Sequence, residues 1–201
     1  MLRGLSTPSK TFSKLPSILP KASEPYQSAA FGTTASMSNS SLSNLPYISR
    51  ESLAAQIRAS QTPSDTPSSA TLPSNIAIID VRDSDHVGGH IRGSTWVPSS
   101  QLDYKMPELL RTLKDKEVVV FHCALSQQRG PGAALRFLRE KEAREGVEGG
   151  KGSKEGDESK EGGGEQKVVV LKGGFTEWQE KYGRDERLTE GWEKKVWEDD
   201  D

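Results

Sequence analysis

Three apolar, largely β-branched runs constrain the fold of this chain more than any other feature: Ile76-Ala-Ile-Ile-Asp-Val81, Glu117-Val-Val-Val-Phe-His122 and Lys167-Val-Val-Val-Leu171. Continuous apolar runs of this length are strands buried on both faces, the habit of parallel sheets covered by helices. Helical segments lie between them. Ser49 is placed to N-cap a helix over Arg50–Ala59, with Glu51 in its first turn. Met106, Leu109, Leu110 and Leu113 recur at helical spacing in a segment that Ser100 can cap and that runs from about Gln101 toward Lys114. A third helix is expected from Pro131, with Ala134, Leu135 and Leu138 on one face. A fourth, Phe175–Tyr182, should bury Phe175, Trp178 and Tyr182. Shorter strands are expected at Tyr47-Ile48 and Ser94–Pro98. Strands alternating with helices predict an α/β domain with a central, mostly parallel sheet flanked by helices. Ligands of such sheets sit at the strand ends.

Only 32% of the 201 residues are apolar, and the deficit is concentrated in a few stretches that cannot bury enough surface to offset their ordering entropy. Residues 1–44 are rich in Ser and Thr and carry Arg3, Lys10, Lys14 and Lys21 before the first acid, Glu24. That composition fits a mitochondrial transit peptide. Pro8, Pro16, Pro20 and Pro25 break any long amphipathic helix, so a disordered extension is an equal expectation. Met37 offers an internal start that leaves out residues 1–36. The expected location is the cytoplasm or nucleus, or the mitochondrion if the extension is used. Residues 60–74 read as a polar, proline-punctuated connection, and Glu140–Gln166 as a Gly/Glu/Lys/Ser run that is disordered after a short helical extension. The domain is therefore expected over 45–182, with an insert at about 141–166 and an acidic tail over 183–201 that packs back or frays.

A net charge of −2 gives no reason to expect nucleic acid as a partner, and no run reaches the length of a membrane span, so no membrane partner is expected. One cysteine cannot form an internal disulfide. Together with three histidines it matches no metal-ligand spacing, so neither metal nor cofactor is expected.

That single cysteine, Cys123, follows directly on the strand ending at His122. Ala124, Leu125, Ser126, Gln127 and Gln128 separate it from Arg129, and Gly130-Pro131 opens a helix. A lone cysteine is most often a small hydrophobe. Here the loop enters a helix N-terminus, where successive N–H groups converge on an anion. The same field favours the thiolate, and the planar fork of Arg129 can hold two oxygens of a tetrahedral oxyanion. The functional reading therefore goes ahead of the bland one. Asp80 and Arg82 at the end of the first central strand, with His90, could be mistaken for catalytic groups. His86 reads as solvated, and His122 as a shaping residue that alternation turns away from Cys123 and that can bias the thiolate electrostatically.

His122-Cys123-x-x-Ser126-x-x-Arg129-Gly130-Pro131 resembles the active-site loop of the cell-division-cycle dual-specificity phosphatases, which have a rhodanese fold, and of their small fungal relatives, including yeast-type arsenate reductases. Two other segments are similar to rhodanese signatures: Ile79-Asp-Val-Arg-Asp83 with Gly88-Gly-His-Ile-Arg-Gly-Ser94, and Leu171-Lys-Gly-Gly-Phe-Thr-Glu-Trp178. The resemblance spans about Leu45–Tyr182 and implies a rhodanese-like domain, in which Asp80, Arg82 and His90 would be structural, an ion pair and a loop-fixing hydrogen bond. The loop has the longer form of the phosphatase and arsenate-reductase branch, not the shorter loop of sulfur-transferring rhodaneses. It implies that Cys123 attacks phosphorus and forms a phosphocysteine, stabilised by the loop amides and Arg129. The substrate would be a phosphorylated protein, on tyrosine or by dual specificity, or a small oxyanion.

Some positions depart from that pattern. Glutamates of the cell-cycle enzymes are replaced by Ala124 and Gln127, which leaves the proton donor unassigned. Val81 stands where a second cysteine would protect the first. The long substrate-docking tail of the cell-cycle enzymes has no counterpart, which argues against a dedicated cyclin-kinase activator. Two alternatives follow: arsenate reduction, with electrons from external glutathione and a glutaredoxin, and a non-catalytic oxyanion-binding or interaction module.

Overall fold

Each of the three runs is a strand in the computed structural model, which describes residues 41–61, 71–148 and 166–198. These residues lie in one compact unit, Ser38–Asp201. The expected extension up to residue 40, most of the connection before the first central strand, the insert over 149–165 and the last three residues lie outside the described residues.

Among the described residues seven strands form, β1 (Tyr47–Ile48), β2 (Ile76–Asp80), β3 (His90–Ile91), β4 (Thr95–Trp96), β5 (Val118–His122), β6 (Lys167–Leu171) and β7 (Thr189–Glu190). Five of them make one sheet in the order β1-β6-β5-β2-β4, with every neighbouring pair parallel. β5 is central, with β2 and β6 on either side, and all five residues of β2 are buried. The β2–β5 register runs from Ile76 opposite Val118 to Asp80 opposite His122. The two chains therefore leave the sheet side by side.

The described elements also include helices α1 (Arg50–Ala59), α2 (Leu102–Thr112), α3 (Arg129–Glu148), α4 (Gly174–Tyr182) and the short α5 (Lys194–Trp197), with 3-10 turns at Leu42–Asn44 and Ser99–Gln101. Side-chain alternation divides the core in two. Val119, Phe121 and Cys123 pack with Met106 and Leu109 of α2 and Ala134 and Phe137 of α3. Val120 and Ile78 pack with Leu53 and Ile57 of α1 and Phe175 and Trp178 of α4.

Several boundaries differ from those read from sequence. α3 begins at Arg129 rather than Pro131, because the Gly132 N–H already bonds to the Gln128 carbonyl oxygen at 2.8 Å. Pro131 then occupies the third helical position, where its missing N–H is one of the unpaired first-turn groups. Ser49 caps α1 through its hydroxyl, which accepts the Ser52 N–H at 3.1 Å. Ser100 does not cap α2; Ser99–Gln101 forms a separate 3-10 turn before it. The tail packs back rather than fraying over its described part. β7 pairs antiparallel with β3, the Trp197 Nε1–H donates to the Gly88 carbonyl at 2.7 Å, and its ring meets Phe175 edge-on at 5.8 Å.

Candidate active site

β5 ends by placing Cys123 and His122 on opposite faces. His122 is fully buried and stacks on Phe175 at 6.4 Å. Its Nδ1 lies 3.3 Å from the Cys123 carbonyl oxygen, and its Nε2 has no hydrogen-bond partner among the described residues. Burial pushes its pKa below the ordinary histidine value, against the pull of Asp80. The ring is therefore neutral near pH 7 and lends the thiol no positive charge; it acts as a spacer under the loop.

Cys123 forms the floor of the loop at 3% exposure. The chain then reverses through Ser126, whose φ of +52° lies in the left-handed region, a conformation that costs a non-glycine residue about 1 kcal/mol or more. The reversal brings the Ser126 N–H to 3.2 Å from Cys123 Sγ and the Ser126 hydroxyl to 3.5 Å from the Cys123 N–H. Leu125, Gln127 and Gln128 are exposed at the rim, and Ala124 is half-buried. A Cβ on Gly130 would lie 3.3 Å from both the His122 Cα and the Ser126 Oγ. Glycine there lets the first turn of α3, with its positive end, sit directly on the loop.

The glycine pair after β6 holds this loop from the other side. Gly173 and Gly174 adopt φ of +72° and +60°. The Phe175 N–H donates to the Cys123 carbonyl and the Thr176 N–H to the Ala124 carbonyl, both at 2.9 Å. These are first-turn donors of α4 that have no partner within their own helix. Orphan donors of one helix thus fix the carbonyls of Cys123 and Ala124.

Asp80 and Arg82 are both buried, at 0% and 1% exposure. Arg82 Nε and Nη2 donate to Asp80 Oδ2 at 2.9 and 2.7 Å, Nη2 also to the Gly89 carbonyl at 2.8 Å, and the guanidinium lies 4.1 Å over the Phe175 ring. The pair fixes the Asp83–Gly89 loop. Burial works to raise the Asp80 pKa, and His122 and Arg82 outweigh it, so the carboxyl lies below its usual value. Near pH 7, where His122 is neutral, Arg82 is the partner that keeps Asp80 ionised, and His122 adds its pull only once it protonates.

Asp80→Asn should leave Arg82 charged and unpaired in the core, at a cost of about 3–5 kcal/mol, read as a lower denaturant midpoint. A depressed carboxyl contributes stability above its unfolded pKa of about 3.9 that is lost as pH falls toward the folded value. The variant should therefore lose part of the wild type's acid sensitivity. A loss below about 1 kcal/mol contradicts this role.

His86 is not solvated as the sequence suggested. It stacks on Trp96 at 4.6 Å between ring centres and its Nε2 lies 3.4 Å from Asp80 Oδ2. Burial pushes its pKa down. His90 Nε2 lies 3.3 Å from Glu190 Oε2 and so ties β3 to β7.

Sequence reasoning missed two residues that touch Arg129. Its guanidinium meets Asp85 as a two-pronged fork, Nη1 to Oδ1 at 2.6 Å and Nη2 to Oδ2 at 2.5 Å. Nη1 also reaches Asp83 Oδ2 at 3.1 Å. Arg129 holds the Asp85 carboxyl down at about 2. Asp83 is lowered first by the Ser99 hydroxyl, which it accepts at 2.6 Å. An acidic pair soon after one central strand was the available signal; the parallel β2–β5 pairing makes it a neighbour of the Cys loop. A hollow of about 500 Å³ lined in part by Arg92, Arg184, Glu190 and Trp192 contains no cysteine. Cys123 and the loop amides lie between β5 and α3, and Arg129 is the first residue of α3.

Comparison with known proteins agrees with the fold. The rhodanese-like domain matches residues 69–181. The CDC25-like phosphatase YCH1 of Saccharomyces cerevisiae is 32% identical over 172 residues, covering 80% of this chain and 99% of the relative. Arsenate reductase 2.1 of Oryza sativa subsp. japonica is 39% identical over 105 residues, 52% of this chain and 56% of the relative. Among solved structures, a yeast protein tyrosine phosphatase of the rhodanese family superposes with a TM-score of 0.53 at 28% identity, covering 77% of this chain and 97% of that one.

Proposed function

This chain belongs to the rhodanese-like domain family, and within it we propose a cysteine-dependent phosphatase that hydrolyses phosphomonoesters, with phosphotyrosine-type esters as its substrate class. The observation that carries the reading is the placement of Cys123 Sγ on the floor of the loop, with the Ser126 N–H at 3.2 Å and Arg129 as the first residue of α3. A sulfur that already accepts a loop amide, under the positive end of a helix, is set to attack an anionic phosphorus. The S–P bond forms as the bond to the leaving oxygen breaks, and that oxygen takes a proton. Water then attacks phosphorus, the S–P bond breaks, and inorganic phosphate leaves. Loop amides and the arginine fork stabilise the charge on the transferring group in both steps.

Arsenate is the same size and shape to this loop, and the similarity to a protein named arsenate reductase supports reduction as the second reading. Among the described residues Cys123 is the one free thiol. The two electrons that take arsenic(V) to arsenic(III) would then come from two external thiols, glutathione with a glutaredoxin, which end as a disulfide.

The two readings separate in one panel: an aryl phosphate, arsenate with glutathione and glutaredoxin, and thiosulfate as sulfur donor. Aryl phosphate turnover well above the other two is expected. Thiosulfate turnover alone would contradict both readings, and arsenate turnover without aryl phosphate hydrolysis would put the second in place of the first.

A further inference from the structure

We propose that Asp85 is the proton donor to the leaving group, brought into use when the oxyanion takes Arg129 away from it. The inference rests on the oxyanion reading of the Cys123 loop. Asp85 fills both prongs of the Arg129 fork, which is the pattern two oxygens of a phosphoryl group would make there. An arriving phosphoryl group and Asp85 therefore compete for the same two N–H edges. The exchange is open to solvent, since the side chains of Arg129 and Asp85 are 33% and 39% exposed.

After the exchange Asp85 has lost its cation and lies beside the anion that replaced it. Both changes favour its protonated form. Asp83 is the less suitable acid, because its Oδ2 accepts the Ser99 hydroxyl at 2.6 Å and its Oδ1 the Ser100 N–H at 3.2 Å. Those donors stay in place when Arg129 leaves and continue to favour the ionised carboxylate. Asp85 retains backbone N–H support, from Asp83 to Oδ1 at 2.9 Å and from its own amide, but no hydroxyl donor like that of Ser99, so its Oδ2 is free to carry a proton. Cys123 attacks from the floor of the loop, so the leaving oxygen faces the mouth, where the Asp83–Asp85 segment meets the arginine.

The cycle balances. On binding, Asp85 takes one proton from solvent. As the Cys123 S–P bond forms and the P–O bond breaks, that proton passes to the leaving oxygen. Asp85, now a carboxylate, takes a proton from the water that attacks phosphocysteine, and gives it back to solvent when phosphate leaves and Arg129 returns. A carboxylate from the neighbouring strand's loop thereby serves where Ala124 and Gln127 supply none.

The test compares Asp85→Asn and Asp83→Asn with wild type on phenyl phosphate, which needs a proton on its leaving group, and on 2,4-dinitrophenyl phosphate, which does not. The quantity read is the ratio of the two kcat/KM values, in which any change in the availability of Arg129 cancels. Asp85→Asn should lower kcat/KM for phenyl phosphate relative to the dinitrophenyl ester by about a hundredfold. Asp83→Asn should leave that ratio within about threefold of wild type, as its bonds to Ser99 and Ser100 imply a positioning role. A fall in Asp85→Asn that is equal for both esters, or no fall at all, overturns the proposal while leaving the phosphatase reading standing. Absence of wild-type turnover on either ester instead removes the phosphatase reading, and this proposal with it.

Discussion

Cys123→Ser is expected to keep the fold and lose at least about a thousandfold in aryl phosphate turnover, about 4 kcal/mol of transition-state stabilisation. The side chain is almost isosteric, and the Ser126 N–H at 3.2 Å can bond to a hydroxyl oxygen as it does to sulfur. Chemistry separates the two. A serine hydroxyl is un-ionised near neutral pH, and the described residues offer no neutral base in contact with it: His122 faces α4 and is spent as a spacer. Phosphate binding should survive, because amides and Arg129 remain. Steady-state kinetics and phosphate inhibition measured together check both halves. Turnover within tenfold of wild type would remove Cys123 as nucleophile.

Gly174→Ala is expected to have the second largest effect, although the glycine holds no reactive group. At φ +60° an added Cβ would sit 2.2 Å from the Ala124 carbonyl oxygen and 2.5 Å from that of Cys123. Neither is the end of a flexible side chain. Relief requires moving the two carbonyls that Phe175 and Thr176 N–H groups hold, and with them Cys123. A loss of about 3 kcal/mol of stability is expected from the left-handed backbone and the overlap together. A shift of the loop by about 1 Å should lower kcat/KM by about a hundredfold in the fraction that folds. Gly173→Ala is the internal comparison. It has similar φ, but its Cβ meets the Glu177 side chain, which can swing away, so about 1–2 kcal/mol and near-normal activity are expected. Equal effects at the two positions, in thermal unfolding and in kcat/KM, would contradict the anchoring role.

Much of this frame was readable from residue types. The β-branched runs at β2, β5 and β6 have the length and burial expected, and Val120 and Phe121 alternate between the two core faces as a two-residue period demands. The helix at Phe175–Tyr182 was legible from the spacing of its aromatics. What stayed hidden depends on strand order and on backbone conformation. Asp83 and Asp85 meet Arg129 because β2 lies beside β5 in parallel register, and neither segment carries a local sign of that neighbour. Pro131 suggested where α3 starts, yet proline is accepted anywhere in the first turn, so the helix could begin two residues earlier at Arg129. β3 and β7 have two residues each, too few for periodicity to register.

The location of the arginine fork changes how the site is understood. Sequence suggested a nucleophile and an anion cradle ready for substrate. The structure gives Arg129 an internal ligand, Asp85, and under the proposed function oxyanion binding and carboxylate release become one event. Arg82 and Asp80, buried beneath, keep the loop bearing Asp85 in register with the Cys loop.

The central claim is that Cys123 carries the phosphoryl group between the two half-reactions. Acid quench of the wild-type chain during turnover of an aryl phosphate, followed by peptide mass spectrometry, tests it most directly. One phosphoryl group is expected on the peptide containing Cys123 and none on the same peptide from Cys123→Ser. Sustained turnover with no phosphoryl adduct on Cys123 under quench conditions that preserve a phosphocysteine standard, or an adduct on another residue, would contradict it.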